Sequence, residues 1–143
     1  MIYSGTRLVS SMLGAEFKLI MTSKIEIHRL YQSIGATQGY RVFIDRLWPR
    51  GVSKDEFKYD VWCKDLAPSP ALRKWFGHKE KNWLTFCERY RAELRSPEQQ
   101  ERMNDLLERA GAKRIILLYG AKDPDHNHAI VLAQELKRTR QEK

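Results

Sequence analysis

One short apolar run limits the possible folds of this chain more than any other segment. Residues 113–119 read KRIILLY, in which four successive aliphatic residues and a tyrosine follow two basic residues, and Gly120 comes directly after them. An uninterrupted apolar run of this length, bounded by charge and a turn residue, is typical of a strand buried on both faces. We therefore predict a central strand over Lys113–Tyr119.

Two further strands precede this one in the sequence. Residues 25–31, IEIHRLY, place apolar Ile25, Ile27 and Leu30 around polar Glu26, His28 and Arg29, which predicts a strand over Ile25–Tyr31. Residues 41–45, RVFID, combine a β-favouring apolar triplet with charged ends, which predicts a strand covered on both faces. That strand stops at LWPRG, where Pro49 and Gly51 break regular structure.

The remaining pattern is mostly helical and starts at Ser53. Several segments combine a serine or aspartate cap with proline at the first helical position, and some end at glycine. The final helix is predicted to be capped by Asp123 and to end in a frayed basic tail over residues 137–143. The predicted helices run from Pro70 to Gly77, within Lys79–Arg95, from Glu98 to Ala110, and from Pro124 towards the tail.

The order strand, strand, helices, strand, helix predicts an α/β fold, namely a single compact domain with a small central, largely parallel sheet flanked by helices. The length of 143 residues suits one domain. Met21 opens the first strand-like segment, so residues 1–20 are predicted to be a disordered or extraneous extension and residues 21–143 the domain. The longest apolar runs, Ile115–Tyr119 and Ala129–Ala133, are too short to span a membrane.

Charge and cysteine content restrict the partners and the compartment. The chain carries 26 Lys and Arg against 18 Asp and Glu, a net charge of +8. This excess favours an anionic partner, which could be a nucleotide, a phosphorylated metabolite or a nucleic acid. Residues 21–136 hold only +4 of the total, so the local arrangement of charge matters more than the sum. The chain has two cysteines, and they do not have the spacing of zinc ligands. This cysteine content favours a location in the reducing cytoplasm.

A first polar cluster, DRLWPRG, follows the second predicted strand. Arg46 and Arg50 can each present a forked guanidinium to phosphate or carboxylate, and Trp48 can stack on a ring. Asp45 could orient an arginine, act as a general base or bind a metal. The alternative is structural: Asp45 and Arg46 pair at the strand end while Trp48 fills the core.

A second polar cluster, YGAKDPDHNH, follows the central strand. Here Lys122 and a helix N-terminus would attract an anion, and His126 and His128 could transfer protons near neutral pH. A divalent metal is an alternative ligand, held by Asp123, Asp125 and the two histidines, provided that the turn is not helical. The structural alternative has Asp123 as a cap and one histidine packed or solvated. Parallel strands would bring both clusters to one edge of the sheet.

Other candidate residues have simpler explanations. His78 follows Gly77 and could lie on the rim of the same cleft, or interact with the C-terminus of a helix. Cys63 has no histidine nearby in the sequence and is predicted to be a buried thiol, while Cys87 lies on an apolar helical stripe and is predicted to be core. The aromatic residues around Trp75 and Trp83 are interpreted as helix packing.

Four segments together resemble a known family. They are RVFIDRLWPRGVSKD, DLAPSPALRKWFGH, FCERYRAEL and ILLYGAKDPDHNHAIVL, and they occur in order between about Ile25 and Leu136. The chain resembles the YeaO-like proteins, which are grouped as domain of unknown function 488. The resemblance implies a compact α/β domain and brings no established reaction. The residues that carry it are Asp45, Arg46, Trp48, Pro49, Arg50, Gly51, Leu66, Ala67, Pro68, Trp75, Phe76, His78, Tyr119, Lys122, Asp123, His126, Asn127 and His128.

The leading hypothesis is an enzyme or ligand-binding domain for an anionic small molecule. Arg46, Trp48, Arg50, His78 and Lys122 would bind the ligand. Hydrolysis or transfer at phosphate is the reaction class predicted if catalysis occurs, because it depends mainly on positioning and charge neutralisation. Candidate acid–base or metal-binding residues are Asp45, Asp123, His126 and His128. The alternative is a nucleic-acid-binding or regulatory module without catalysis.

Overall fold

The sheet has four parallel strands, with the predicted apolar strand inside it. The computed structural model describes residues 24–31 and 39–142. Its strands are β1 (Ile25–Arg29), β2 (Tyr40–Phe43), β3 (Val61–Trp62) and β4 (Ile115–Tyr119), in the order β1-β4-β2-β3. All three strand pairs are parallel. Every residue of β4 is buried, so the prediction of a central strand is confirmed.

Four α-helices follow the predicted capping signals in most places. They are α1 (Pro70–Phe76), α2 (Trp83–Leu94), α3 (Pro97–Ala110) and α4 (His128–Gln141). The Ser69 and Ser96 side chains accept hydrogen bonds from the first turns of α1 and α3, each with proline at the first position. Gly77 ends α1 in the left-handed conformation, which glycine adopts without steric cost.

The two faces of the sheet are covered differently. All four helices contribute buried side chains to the core on one face, together with alternate strand residues such as Val42 and Leu117. The intervening residues Phe43, Ile116 and Leu118 face the opposite side. Within the described residues, this side is covered by the aromatic-rich segment that follows β2 rather than by a helix. The parallel sheet and the helices packed against one of its faces confirm the α/β class.

Three local predictions were wrong. The segment after Ser53 is not helical up to Pro68: the chain turns, and strand β3 pairs with β2, followed by a 3-10 turn at Lys64–Leu66. The last helix begins at His128 rather than Pro124, because Asp123 hydrogen-bonds within the preceding turn. The basic tail is not frayed up to Gln141, since α4 continues to that residue with Thr139 buried.

The position of residues 1–20 lies outside the described residues. Among the residues that are described, none of the helices has the length and apolar character needed to cross a membrane.

Candidate functional site

A cavity of about 360 Å³ opens where β2 and β4 end. This is the edge that the two polar clusters were predicted to share, and the parallel pairing of β2 with β4 is the reason they meet there. Its size is within the range of small-molecule sites. Six of the predicted site residues line it, and they are Asp45, Arg46, Trp48, Arg50, His78 and His128.

Asp45 joins the ends of the two strands. Its Oδ2 accepts a hydrogen bond from the Gly120 N–H at 2.9 Å, and its backbone carbonyl accepts one from Trp62 Nε1 at 2.7 Å. Its other carboxylate oxygen, Oδ1, is 3.2 Å from His128 Nε2. A Cβ on Gly120 would lie 2.8 Å from Asp45 Oδ2, so a larger residue here would displace this carboxylate.

His128 is the first residue of α4, and the Nε2 atom of its ring contacts the end of β2. This nitrogen is 3.2 Å from the carbonyl oxygen of Ile44, which can only accept, so Nε2 carries a proton. The neutral ring therefore has its lone pair on Nδ1. Asn127, the N-cap residue, makes no side-chain cap, so the first turn of α4 lacks the usual side-chain acceptor.

Arg46 stabilises the cavity wall. Its Nη2 donates to the carbonyl oxygens of Ala67 and Pro68 at 3.3 and 3.2 Å, which connects the loop after β2 to the segment before α1. The Nε atom of Arg46 is buried and has no hydrogen-bond partner among the described residues. Arg46 thus has one unpaired donor beneath the cavity surface in addition to the two bonds that fix its guanidinium.

Arg50, Arg73 and His78 are exposed residues of the cavity wall. The guanidinium groups of Arg50 and Arg73 make no hydrogen bond or ion pair with the described residues. Arg73 was not among the predicted site residues. Its position in the last turn of α1, the helix that ends just before His78, was a signal that could have indicated it.

His78 has an unusual backbone conformation. It is the one described residue other than glycine with a positive φ, at 56°. This region is unfavourable for side chains with a Cβ, and such residues often occur at functional sites. The turn that ends α1 therefore places the His78 ring at the cavity despite a local steric penalty.

Trp48 belongs mainly to the aromatic cluster on the second face of the sheet. Its Nε1 donates to the Val52 carbonyl oxygen at 2.7 Å. Its ring packs edge-on against Phe43, with 6.0 Å between centroids and 78° between planes. The ring therefore lines the cavity while its orientation is determined by core packing.

Lys122, Asp123 and His126 do not line this cavity. Asp123 Oδ2 is 2.8 Å from His126 Nδ1 and Asp123 Oδ1 accepts the Asp125 N–H at 2.9 Å. The Asp125 amide, followed by His126, lowers the pKa of Asp123, and the hydrogen bond to Asp123 raises the pKa of His126. In the described part of the chain, no group of three or more His, Cys, Asp or Glu residues is arranged to bind a metal ion.

The two cysteines lie outside the cavity. Cys87 is buried on α2, as predicted, and Cys63 is half-buried. Burial raises the pKa of the Cys63 thiol to about 11, despite an opposing effect of Arg109. Cys63 is therefore a protonated thiol at neutral pH, and a protonated thiol is a poor nucleophile.

Unpartnered buried polar atoms are concentrated at the cavity. Among the described residues, five buried side-chain nitrogen or oxygen atoms have no hydrogen-bond partner. Three of them, Asp45 Oδ1, Arg46 Nε and Asn127 Oδ1, belong to residues that line the cavity, and of these Asp45 Oδ1 has a close contact with His128 Nε2 at 3.2 Å that lacks hydrogen-bond geometry. Folded proteins pair almost all such atoms, and exceptions often have a functional cause.

Comparison with known proteins identifies the family. Residues 24–143 match the model of the inactive DUF488-N3 subclade, and the chain therefore belongs to the domain of unknown function 488 family. The resemblance to YeaO-like proteins is thus confirmed.

Two relatives show how far this similarity extends. An uncharacterised Escherichia coli protein, YeaO, is 41% identical over 114 residues, covering 79% of this chain and 96% of the relative. An uncharacterised Mycobacterium tuberculosis protein is 32% identical over 118 residues, covering 82% of this chain and 98% of the relative. No solved structure matches this chain.

Proposed function

We propose that this domain binds an organic anion in the cavity at the ends of β2 and β4 and does not convert it chemically. The observation that carries the proposal is the convergence of Arg46, Arg50 and Arg73 with two histidines around one cavity. Guanidinium groups bind phosphate and carboxylate through paired hydrogen bonds. Among the described residues of the wall, Asp45 is the one carboxylate, and one of its oxygens already accepts a hydrogen bond from Gly120.

Two further observations support binding. Arg50 and Arg73 have exposed guanidinium groups without protein partners among the described residues, so an anion would not have to break an ion pair to reach them. The description of the matching subclade as inactive favours binding over catalysis.

The test compares neighbouring positions on one helix. Arg73 and Lys74 are both exposed and basic, but Lys74 does not line the cavity. Phosphorylated and carboxylated small molecules are screened for a rise in melting temperature, and the dissociation constant of the best one is measured by calorimetry. We expect Arg50→Ala and Arg73→Ala each to weaken binding at least tenfold, since hydrogen bonds to charged groups contribute about 1.5–3 kcal/mol.

Lys74→Ala removes the same charge and is the control, with an expected change below about twofold, because surface charges contribute little at a distance. Equal affinities in the wild type and both arginine variants would refute the proposal. So would a screen in which no anion stabilises the protein.

Hydrolysis or transfer at phosphate is the second candidate function. The observation that favours it is the 3.2 Å approach of Asp45 Oδ1 to His128 Nε2, since a carboxylate beside Nε2–H would leave Nδ1 to accept a proton. Release of inorganic phosphate from a bound ester, followed by phosphorus NMR, would favour this candidate. If the ester stays intact during incubation with the protein and its affinity is the same afterwards, binding alone is favoured.

Two further proposals are a cytoplasmic location, favoured by the low cysteine content, and nucleic-acid binding. The net charge of +8 supports nucleic-acid binding, but exposed residues of α3 form an acidic surface that includes Glu98, Glu101 and Glu108. This surface would repel a polyanion. Gel shifts at two salt concentrations test the proposal, because phosphate contacts make affinity strongly salt dependent.

A further inference from the structure

We infer that the anion bound in the cavity carries a planar, largely apolar ring. This inference rests on the proposed anion-binding function and adds a ligand class to it. Its basis is the apolar part of the wall, which the arginines alone do not explain.

The inner wall is aromatic. Phe76 and Phe86 both line the cavity and are stacked, with ring centroids 4.3 Å apart and 22° between planes. Both are nearly fully buried in the core formed with α1 and α2. They therefore form a rigid apolar surface with no hydrogen bond to offer to a polar ligand.

Two large apolar side chains of the cavity wall are also exposed to solvent, beside the exposed arginines. Leu47 is 60% exposed and Tyr31 is 46% exposed, and both line the cavity. They are two of the five large hydrophobic residues that are exposed in the described part of the chain. Exposed apolar side chains that border a cavity with charged groups are typical of ligand-binding sites.

The orientation of Tyr31 is determined by contacts on the protein side. The Arg29 guanidinium lies over its ring, 4.7 Å from the centroid, and its hydroxyl donates to the Arg50 carbonyl oxygen at 3.3 Å. This second contact connects the Tyr31 ring to the backbone of Arg50, an arginine proposed to bind the anion. The charged and the apolar contacts can therefore be made by one ligand.

A small inorganic anion would use only part of this site. A phosphate or carboxylate group would occupy the guanidinium groups and leave Leu47 and Tyr31 in contact with water. A ring attached to the anion would bury these side chains and gain about 25 cal/mol for each Å² of apolar surface removed from water. Planar rings also stack on guanidinium groups.

The test uses two phosphate monoesters that differ only in the attached group. Phenyl phosphate and methyl phosphate are titrated into the full-length, isotope-labelled protein at constant ionic strength, and dissociation constants are obtained from NMR shifts. We expect phenyl phosphate to bind at least tenfold more tightly, with the largest shifts at Leu47, Gly120 and His128.

Leu47→Ala and Leu84→Ala form a matched pair of variants. Leu84 is 78% exposed and does not line the cavity, so both substitutions remove an exposed leucine. We expect Leu47→Ala to weaken phenyl phosphate binding at least threefold and to leave methyl phosphate within twofold, while Leu84→Ala changes neither.

The possible failures are distinguishable. Equal binding of the two esters to the wild type, or equal effects of Leu47→Ala on both, would overturn the ring inference and leave anion binding intact. If neither ester produces shifts at the cavity, both the ring inference and the binding of phosphate esters at this site are refuted.

Discussion

Arg46 and Arg50 belong to one loop and have different surroundings. The guanidinium of Arg46 donates to two carbonyl oxygens of the neighbouring segment, whereas Arg50 contributes its backbone carbonyl to Tyr31 and leaves its side chain exposed. Removing Arg46 would leave polar groups of the wall unpaired, which affects folding as well as binding. Arg50 is therefore the better residue for separating ligand affinity from stability.

The Asp123–His126 pair predicts a local pH dependence outside the cavity. The hydrogen bond to Asp123 raises the pKa of His126 in the folded state. Because the folded pKa of His126 is raised, the stability that this histidine contributes while Asp123 is charged is fully present below the unfolded pKa of His126 and is lost as the pH rises through its folded pKa. The lowered pKa of Asp123 sets the acid limit, because the pair also loses stability as the pH falls through the folded pKa of Asp123. We expect Asp123→Asn to lower the pKa of His126, measured by NMR titration of its ring.

The control for this measurement is His28 on β1, whose ring chemical shifts should be the same in both proteins. An unchanged pKa of His126 in Asp123→Asn would show that the hydrogen bond does not persist in solution.

At the scale of elements, the site depends on two strand ends held side by side. Phe43 of β2 pairs with Leu118 of β4, and two residues beyond these positions the Asp45 carboxylate accepts the Gly120 N–H. The same loop then provides Arg46 and Arg50. The direction and register of the sheet therefore determine which side chains face the cavity.

Gly120→Ala tests this connection. The new Cβ would lie 2.8 Å from Asp45 Oδ2, so the hydrogen bond must lengthen or break. We expect the free energy of unfolding to fall by about 1–3 kcal/mol, as for other lost buried hydrogen bonds, when measured by urea denaturation.

A double-mutant cycle provides the control. In an Asp45→Ala background the carboxylate is absent, so adding the methyl group at Gly120 should have a much smaller effect. The same loss of stability in both backgrounds would mean that the contact with Asp45 is not the cause.

At the scale of the whole molecule, one segment serves both the core and the cavity. The loop after β2 covers the second face of the sheet with Trp48 and Phe57, while Asp45, Arg46 and Arg50 from the same loop line the cavity. A sheet of four strands with helices on one face would otherwise expose Phe43 and Leu118. The shape of the cavity is therefore coupled to the packing of the second core.

The domain boundary gives a prediction at the same scale. We expect a chain beginning at Met21 to keep its free energy of unfolding within about 0.5 kcal/mol of the full chain, the range of substitutions outside the core. The contrasting variant begins at His28 and removes Ile25–Ile27, which pair with Ile115–Leu117 of β4. That variant should be strongly destabilised in denaturant unfolding. A comparable loss in the Met21 variant would place residues 1–20 within the folding unit.

Local sequence patterns were sufficient for much of the fold. The aliphatic run of β4, the Ser-Pro starts of α1 and α3 and the stop at Gly77 depend on near neighbours, and the structure confirms each of them. Strand β3 was missed because a strand of two residues has too short a pattern to recognise and forms through its pairing with β2. The start of α4 was misplaced because Asp123 can cap a helix or close a turn, and the sequence does not distinguish these.

The sequence by itself determined that this is an α/β domain in which two polar loops each follow a buried apolar strand, because these features depend on local patterns. That the loops share one edge required parallel strands, and the pairing of β2 with β4 supplied them. Only the tertiary structure decided which polar side chains share the cavity. It brought Arg73 and His128 into the wall and left Lys122, Asp123 and His126 outside it. The physical reason is that adjacent residues in a turn or helix point in different directions, and long-range packing determines which of them face the cavity.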